Sequence, residues 1–342
     1  MLPSSFFVVL FLIRRLSSAA DISGPLSDDF QQWLVKNGYQ DDNFVRADYG
    51  TQGSYGGLAG NVSTIVHTPV IFIHGNSDAA LHVSSTATGW PNTIQYFMDK
   101  GYTQAELYAT SWGDTNTKNA PTRTHNCNDL QRLRRFVQAV LAYTGAAKVS
   151  LITHSMGVTL GRKIIKGGAV SGNDGSCNLG TPLTSKVDVF LGLAGANYGL
   201  CACEAAGVVE ATCNKKNGFW PGDSCGLNTY TCGLSPLPFP CNGPTYSSLL
   251  MSMNTDNVRE ASVVYSAWSS DDDLILYGDQ VWGRPTSLIS TSSGKVVYSK
   301  YTHMQTKENT APDQYSMVAL KTLPSTSRMQ TSSVIIVDKN IE

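Results

Sequence analysis

Short apolar runs recur along the chain, and most are separated by stretches with helical spacing. The runs are Val70–Ile73, Glu106–Thr110, Lys148–Thr153, Val187–Leu193, Ser262–Ser266 and Lys295–Ser299. Runs this short, with few polar interruptions, read as strands covered on both faces. Thr93–Lys100, Asp129–Thr144, Met156–Lys166 and Asp313–Leu320 read as helices. In Asp129–Thr144, Leu133, Phe136, Val137, Val140 and Leu141 share one face, which leaves Arg132, Arg134 and Arg135 toward solvent. Asn128 or Asp129 is placed to cap that helix. The alternation predicts an α/β fold with a mostly parallel sheet and helices on both faces. One stretch, residues 197–245, is rich in Cys, Gly, Pro and Asn and lacks periodicity. It reads as an insertion within a single domain spanning 21–342. It is either a rigid surface loop or a wall beside a site at the carboxyl ends of the strands.

Composition refines this picture. With 342 residues, 42% of them hydrophobic, the chain can build a sizeable core. A net charge of -1 and a pI of about 6.6, with no Lys/Arg cluster, argue against a nucleic-acid partner. Phe6 to Ile13 is an apolar run too short to span a bilayer, and Ser17-Ser18-Ala19-Ala20 follows with small residues. Residues 1–20 therefore read as a secretory signal peptide, although Arg14-Arg15 follows the apolar run instead of preceding it. No other segment reads as a transmembrane helix. The eight cysteines are Cys127, Cys177, Cys201, Cys203, Cys213, Cys225, Cys232 and Cys241. They are even in number, contain no C-x-x-C pair and have no histidine among the clustered seven, so four disulfides fit better than a metal knuckle. Asn61-Val62-Ser63 is a glycosylation acceptor pattern, which applies if the chain is secreted.

The chemistry concentrates at Thr153-His154-Ser155-Met156-Gly157. A strand precedes it and a helix follows, the context in which G-x-S-x-G lifts a serine clear of the sheet as a nucleophile. A serine hydroxyl needs a base, and the base needs an orienting acid. In a nucleophile–acid–histidine order, His303 is the one histidine that follows Ser155. His303 lies just past a strand, where a loop can return it over Ser155. The acid belongs in Asp271-Asp272-Asp273, between the two preceding strands. Asp272 is preferred because Leu274-Ile275 would anchor the loop, and Asp273 is the alternative. An oxyanion would be met by the backbone N–H of Met156 and of Asn76, the latter following Val70–Ile73 through His74-Gly75. His74 precedes the elbow and reads as structural.

These residues together resemble the class 2 lipase family. The resemblance runs from Pro69-Val70-Ile71-Phe72-Ile73-His74-Gly75, through His154-Ser155-Met156-Gly157 and Leu193-Ala194-Gly195-Ala196-Asn197, to Val264-Tyr265-Ser266 and the Asp run, ending at His303. It implies an α/β-hydrolase fold and hydrolysis of carboxylic esters, often acylglycerols, with no cofactor. It implies Ser155 as nucleophile, Asp272 as acid, His303 as base, and Asn76 and Met156 as oxyanion donors. Thr153 stands where the family's elbow has glycine, which implies a local adjustment. The bacterial members lack the cysteine-rich insertion, so lid behaviour and substrate range do not carry over from them.

The sequence therefore points to a secreted lipase or carboxylesterase acting on a lipid or small ester. Transient contact with a lipid interface fits this reading. An acyltransferase with the same triad and a non-catalytic binding protein on the same scaffold are the alternatives.

Overall fold

Val149–His154 is buried at every position and forms strand β4 in the middle of an eight-stranded sheet. The others are β1 (Ser54–Tyr55), β2 (Val70–Ile73), β3 (Leu107–Thr110), β5 (Val187–Leu193), β6 (Val263–Ser269), β7 (Gly294–Tyr298) and β8 (Val334–Ile335). Their spatial order is β1-β3-β2-β4-β5-β6-β7-β8. The edge strands β1 and β8 pair antiparallel, and all pairings between them are parallel. This is the α/β-hydrolase fold. The computed structural model describes residues 22–60, 64–206, 209–222, 232–234, 245–324 and 334–335. Residues 1–20, Asn61, Cys225 and Cys241 lie outside the described residues.

The pleat divides the core in two. Ile71, Ile73, Val149 and Leu151 face one layer, with Phe30, Leu133, Phe136, Val137, Leu160 and Ile164. Val70, Phe72 and Ile152 face the other, with Ile94, Phe97, Met317 and Val318. Helices α1 (Asp28–Lys36), α3 (Cys127–Thr144) and α4 (Met156–Lys166) cover the first face. Helix α2 (Pro91–Asp99) covers the second. Each large side chain so buried contributes roughly 1.5–3 kcal/mol. The other α-helices among the described residues are α5 (Ala202–Ala206), α6 (Ser248–Asn254), α7 (His303–Glu308) and α8 (Ala311–Val318), of which α8 lies with α2.

Several boundaries differ from the sequence reading. Glu106 does not belong to β3. Its carboxylate accepts from the backbone N–H of Val66, His67 and Thr103 at 2.6, 2.7 and 2.9 Å, which fixes it in a turn. Strand β6 runs on to Ser269 because Ala267 pairs with β5 and Trp268 with β7. Helix α3 begins at Cys127, and its cap is Asn126, which accepts from Asp129 N at 2.9 Å, not Asn128 or Asp129. Arg134 is buried instead of solvated, donating to Ile164 O at 2.6 Å and Thr181 O at 2.5 Å. Arg132 donates to the carbonyls of Asp42, Asn43 and Ser111 at 2.7, 2.7 and 3.0 Å. Loops folded over that flank bring carbonyls that need donors, and two guanidinium groups supply them.

The far end of α4 is held by a buried cluster. Arg162 donates to Glu260 Oε1 at 2.8 Å, Asn197 Oδ1 at 2.9 Å and Met253 O at 3.0 Å. Asn197 in turn donates to the carbonyls of Thr286 and Ser287 at 3.1 and 3.2 Å. These contacts seat the start of the insertion, and the segment 253–260 beyond it, on α4. Within the insertion, Cys201, Cys203, Cys213 and Phe219 join the first-face core.

Three disulfides lie among the described residues: Cys127–Cys177, Cys201–Cys232 and Cys203–Cys213. Cys127–Cys177 closes the longest separation, 50 residues, and staples the start of α3 to the hairpin at 169–178. Replacing both of its cysteines with Ser should lower unfolding free energy by about 2–5 kcal/mol in urea titrations. A change under about 0.5 kcal/mol would show that this bridge does not constrain the unfolded chain.

Candidate active site

Strand β4 runs directly into Ser155, whose backbone sits at φ 56 and ψ -130 before α4 begins. A residue with a Cβ in this region carries roughly 1–3 kcal/mol of strain. Two glycines make the turn fit. A Cβ on Gly157 would fall 2.4 Å from His74 O and 2.5 Å from Ile73 O, so the first turn of α4 can lie against the end of β2 only with Gly there. A Cβ on Gly75 would fall 2.8 Å from Ser155 Cβ. The β2 loop therefore passes immediately beside the serine, and Ser155 itself is partly exposed.

Thr153 is fully buried without disorder to the turn. Its hydroxyl donates to Leu191 O at 2.9 Å, and a Cβ added at Gly161 would meet its methyl at 3.0 Å. The room that glycine would leave in the strand is supplied by Gly161 in the second turn of α4. This is the local adjustment that the sequence implies.

His303 is the first residue of α7, not a loop residue. Thr302 accepts from Gln305 N, and Gln305 Oε1 accepts from Thr302 N at 3.1 Å, a capping box that starts the helix at the histidine. His303 Nδ1 meets Asp272 Oδ2 at 2.7 Å, with both side chains buried. Asp272 Oδ1 accepts from Leu274 N at 2.9 Å and Ile275 N at 2.7 Å. Burial pushes the Asp272 carboxyl up, but the His303 contact and these two N–H groups outweigh it and hold it below the usual range. An ionised Asp272 accepts a hydrogen bond from His303 Nδ1–H, the tautomer that leaves a lone pair on Nε2. That atom is buried and has no hydrogen-bond partner, so Ser155 and His303 are not bonded in this structure.

Asp273 has a separate place. Its Oδ1 accepts from the backbone N–H of His303 at 2.9 Å. Ser269 ties the two loops together, accepting from Asp271 N at 3.2 Å and Tyr301 N at 3.1 Å. On the other side, Asn76 donates its side-chain amide to Ala120 O at 3.0 Å. The backbone N–H groups of Asn76 and Met156 have no protein acceptor among the described residues. The structure thus brings Asp272, Asp273 and His303 together, and sets Gly75-Asn76 and Met156 beside Ser155. No group of three metal-binding side chains occurs among the described residues.

Two histidines to which the sequence assigns no catalytic role also touch the site. His154 donates Nε2–H to His303 O at 3.1 Å, and its ring lies 4.6 Å from the His303 ring. His74 accepts from Trp112 N at 3.0 Å and stacks on its ring at 5.3 Å. The Thr302-x-x-Gln305 spacing was a readable helix-start signal. Nothing in the sequence marks the His154–His303 contact, which joins residues far apart in the chain.

Burial holds the His74 and His125 imidazoles down at about 4 and His154 well below its usual value. Each is kept neutral by the fold, while the unfolded chain would protonate it from pH about 6.5 downward. The stability this provides is complete above pH about 6.5 and is lost as pH falls toward 4. Urea titrations across that window should show falling unfolding free energy, and His125→Asn should reduce the slope by about one proton. A slope that is flat, or unaffected by the substitution, would contradict the neutral assignment.

The model of the class 2 lipase family, described as Lipase (class 2), matches residues 67–316. Among solved structures, a mature Bacillus licheniformis lipase is 12% identical at a TM-score of 0.46, over 77% of this chain and 96% of its own. Aspergillus fumigatus lipase B is 11% identical at a TM-score of 0.40, over 74% of this chain. The match spans about half of that fungal chain, 48%. Mouse alpha/beta hydrolase domain-containing protein 10 is 13% identical at a TM-score of 0.39, over 75% of this chain and 87% of its own. The family match extends from the start of β2 through the elbow, the Asp272 loop and His303 into α8, and on that match the chain belongs to the class 2 lipase family, hydrolases of the lipase and esterase kind.

Proposed function

We propose that this chain is a secreted serine lipase or carboxylesterase working through Ser155, His303 and Asp272. The observation that carries the reading is the 2.7 Å contact between His303 Nδ1 and Asp272, which leaves Nε2 unpartnered at the sheet edge that carries the partly exposed Ser155. His303 Nε2 takes the Ser155 proton as the hydroxyl oxygen attacks the ester carbonyl. The C=O electrons move onto oxygen, and the N–H groups of Met156 and Asn76 receive that charge. Collapse expels the alcohol, which takes the proton from His303, and leaves an acyl-Ser155. Water then attacks the acyl carbon, giving one proton to His303; the Ser155 Oγ–acyl bond breaks, His303 returns that proton to Ser155 Oγ, and the carboxylic acid departs. Asp272 holds the imidazole in the productive tautomer throughout.

Asp273 serves in this reading as a backbone anchor for His303 instead of the acid. Disulfides fit an oxidising compartment. No helix among the described residues is long and apolar enough to cross a membrane. Residues 1–20 would be removed as the signal, leaving one hydrolase domain, 21–342, with its insertion.

The test uses the disulfide-bonded protein and p-nitrophenyl esters. Ser155→Ala should lower kcat by at least about 10³-fold, and Asp272→Asn by about 10³–10⁴-fold. Asp273→Asn should cost about tenfold or less, since it removes one charge-assisted bond to a backbone N–H. An alkyl phosphonate should add to Ser155 by mass. A folded Ser155→Ala protein with full turnover would overturn the mechanism. An unreactive wild type would favour a binding protein on this scaffold.

A further inference from the structure

Lys307 lies one helical turn beyond His303 on α7 and is buried. Its ammonium meets Asp78 Oδ2 at 2.6 Å and Thr88 Oγ1 at 3.0 Å, and lies 5.5 Å over the Trp90 ring. The other oxygen of Asp78 accepts from Ala79 N and Gly89 N, each at 2.9 Å. Asp78 N turns back to Gly75 O at 3.3 Å. The turn that presents the Asn76 N–H is therefore closed by the residue that holds Lys307. Asp78 and His303 come from opposite ends of the fold, carried by the loop after β2 and the helix after β7.

We infer that Asp78 and Lys307 are a positioning pair that fixes the oxyanion turn at Gly75-Asn76 to the helix carrying His303. Buried ion pairs add little net stability over apolar side chains of the same shape. Stability alone is thus a poor reason for burying these two charges behind the loop that passes Ser155. Geometry is a better one. The oxyanion donor and the base lie on elements with no shared strand pairing, and misplacement by about 1 Å can cost about a hundredfold in rate. Burial pushes the Asp78 carboxyl up, but the Lys307 ammonium and the Gly89 N–H outweigh it and bring it to about 2. The Asp78 carboxyl is therefore ionised throughout the pH range in which an esterase reaction would run.

The inference rests on the roles proposed above for His303 and Asn76. It is separated from them by a double variant, Asp78→Asn with Lys307→Met, which removes both charges and leaves neither unpaired. Urea stability of this variant should stay close to wild type. Its kcat per phosphonate-titrated site should fall roughly 10–100-fold with KM within about threefold. Hydrogen exchange should quicken together in residues 75–80 and 303–308. Lys307→Arg keeps the charge and should retain most of kcat. Recovery of kcat along with stability in the double variant would assign the pair a structural role only and overturn the inference, as would faster exchange in one segment without the other. Failure of wild type to take phosphonate at Ser155 would instead remove the triad reading, and the paired exchange result would still decide whether Asp78 and Lys307 join the two segments. If the double variant does not fold, Lys307→Met carries the same exchange and titrated-kcat readouts.

Discussion

The backbone of Ser155 is held at φ 56 and ψ -130, against a cost of roughly 1–3 kcal/mol, by contacts on each side. Ser155 N donates to Leu193 O at 2.9 Å, which hangs the turn on the end of β5. Gly157 lets α4 press on the carbonyls of Ile73 and His74, and Gly75 lets the β2 loop pass over the serine. Three neighbouring parallel strands thus meet at this one residue. Ser77 at φ 59 and Ala194 at φ 48, just past the ends of β2 and β5, carry the same kind of conformation. Left-handed backbone thus recurs at the carboxyl ends of β2, β4 and β5, where the sheet's parallel ladders hold it in place.

His303 is delivered to that edge by a second set of constraints. Ser269, at the end of β6, joins the Asp272 loop to Tyr301, and the capping box at Thr302 starts α7 on His303. Asp272 and Asp273 divide the work that three adjacent carboxylates left ambiguous. One receives the imidazole and the other receives the backbone N–H of the same residue. Beneath the ring, His154 reaches from the elbow to the His303 carbonyl, so the histidine is fixed from the strand side as well.

Much of this was legible because buried parallel strands show themselves as uninterrupted apolar runs. β2, β5 and α4 were readable to the residue, and His303 stood out as the one histidine after the elbow. What was not legible depends on partners distant in the chain. Arg134 reads as a solvated helix residue until the carbonyls of Ile164 and Thr181 fold over it. The extension of β6 to Ser269 follows from pairing with β7, and the short helices α5, α6 and α7 lack enough turns to display a period. Asp78 and Lys307 are ordinary charges in the sequence and become a pair only when α7 packs against the β2 loop. Thr153 departs from the elbow pattern, and its compensation, Gly161, lies two turns further on.

The central claim is that Ser155 is a nucleophile with a preformed oxyanion site. A structure of the mature protein treated with an alkyl phosphonate tests it most directly. The account predicts phosphorus bonded to Ser155 Oγ, a phosphoryl oxygen within hydrogen-bond distance of both Met156 N and Asn76 N, and His303 Nε2 facing the adduct. An unmodified Ser155, or an adduct whose phosphoryl oxygen points away from both N–H groups, would contradict it.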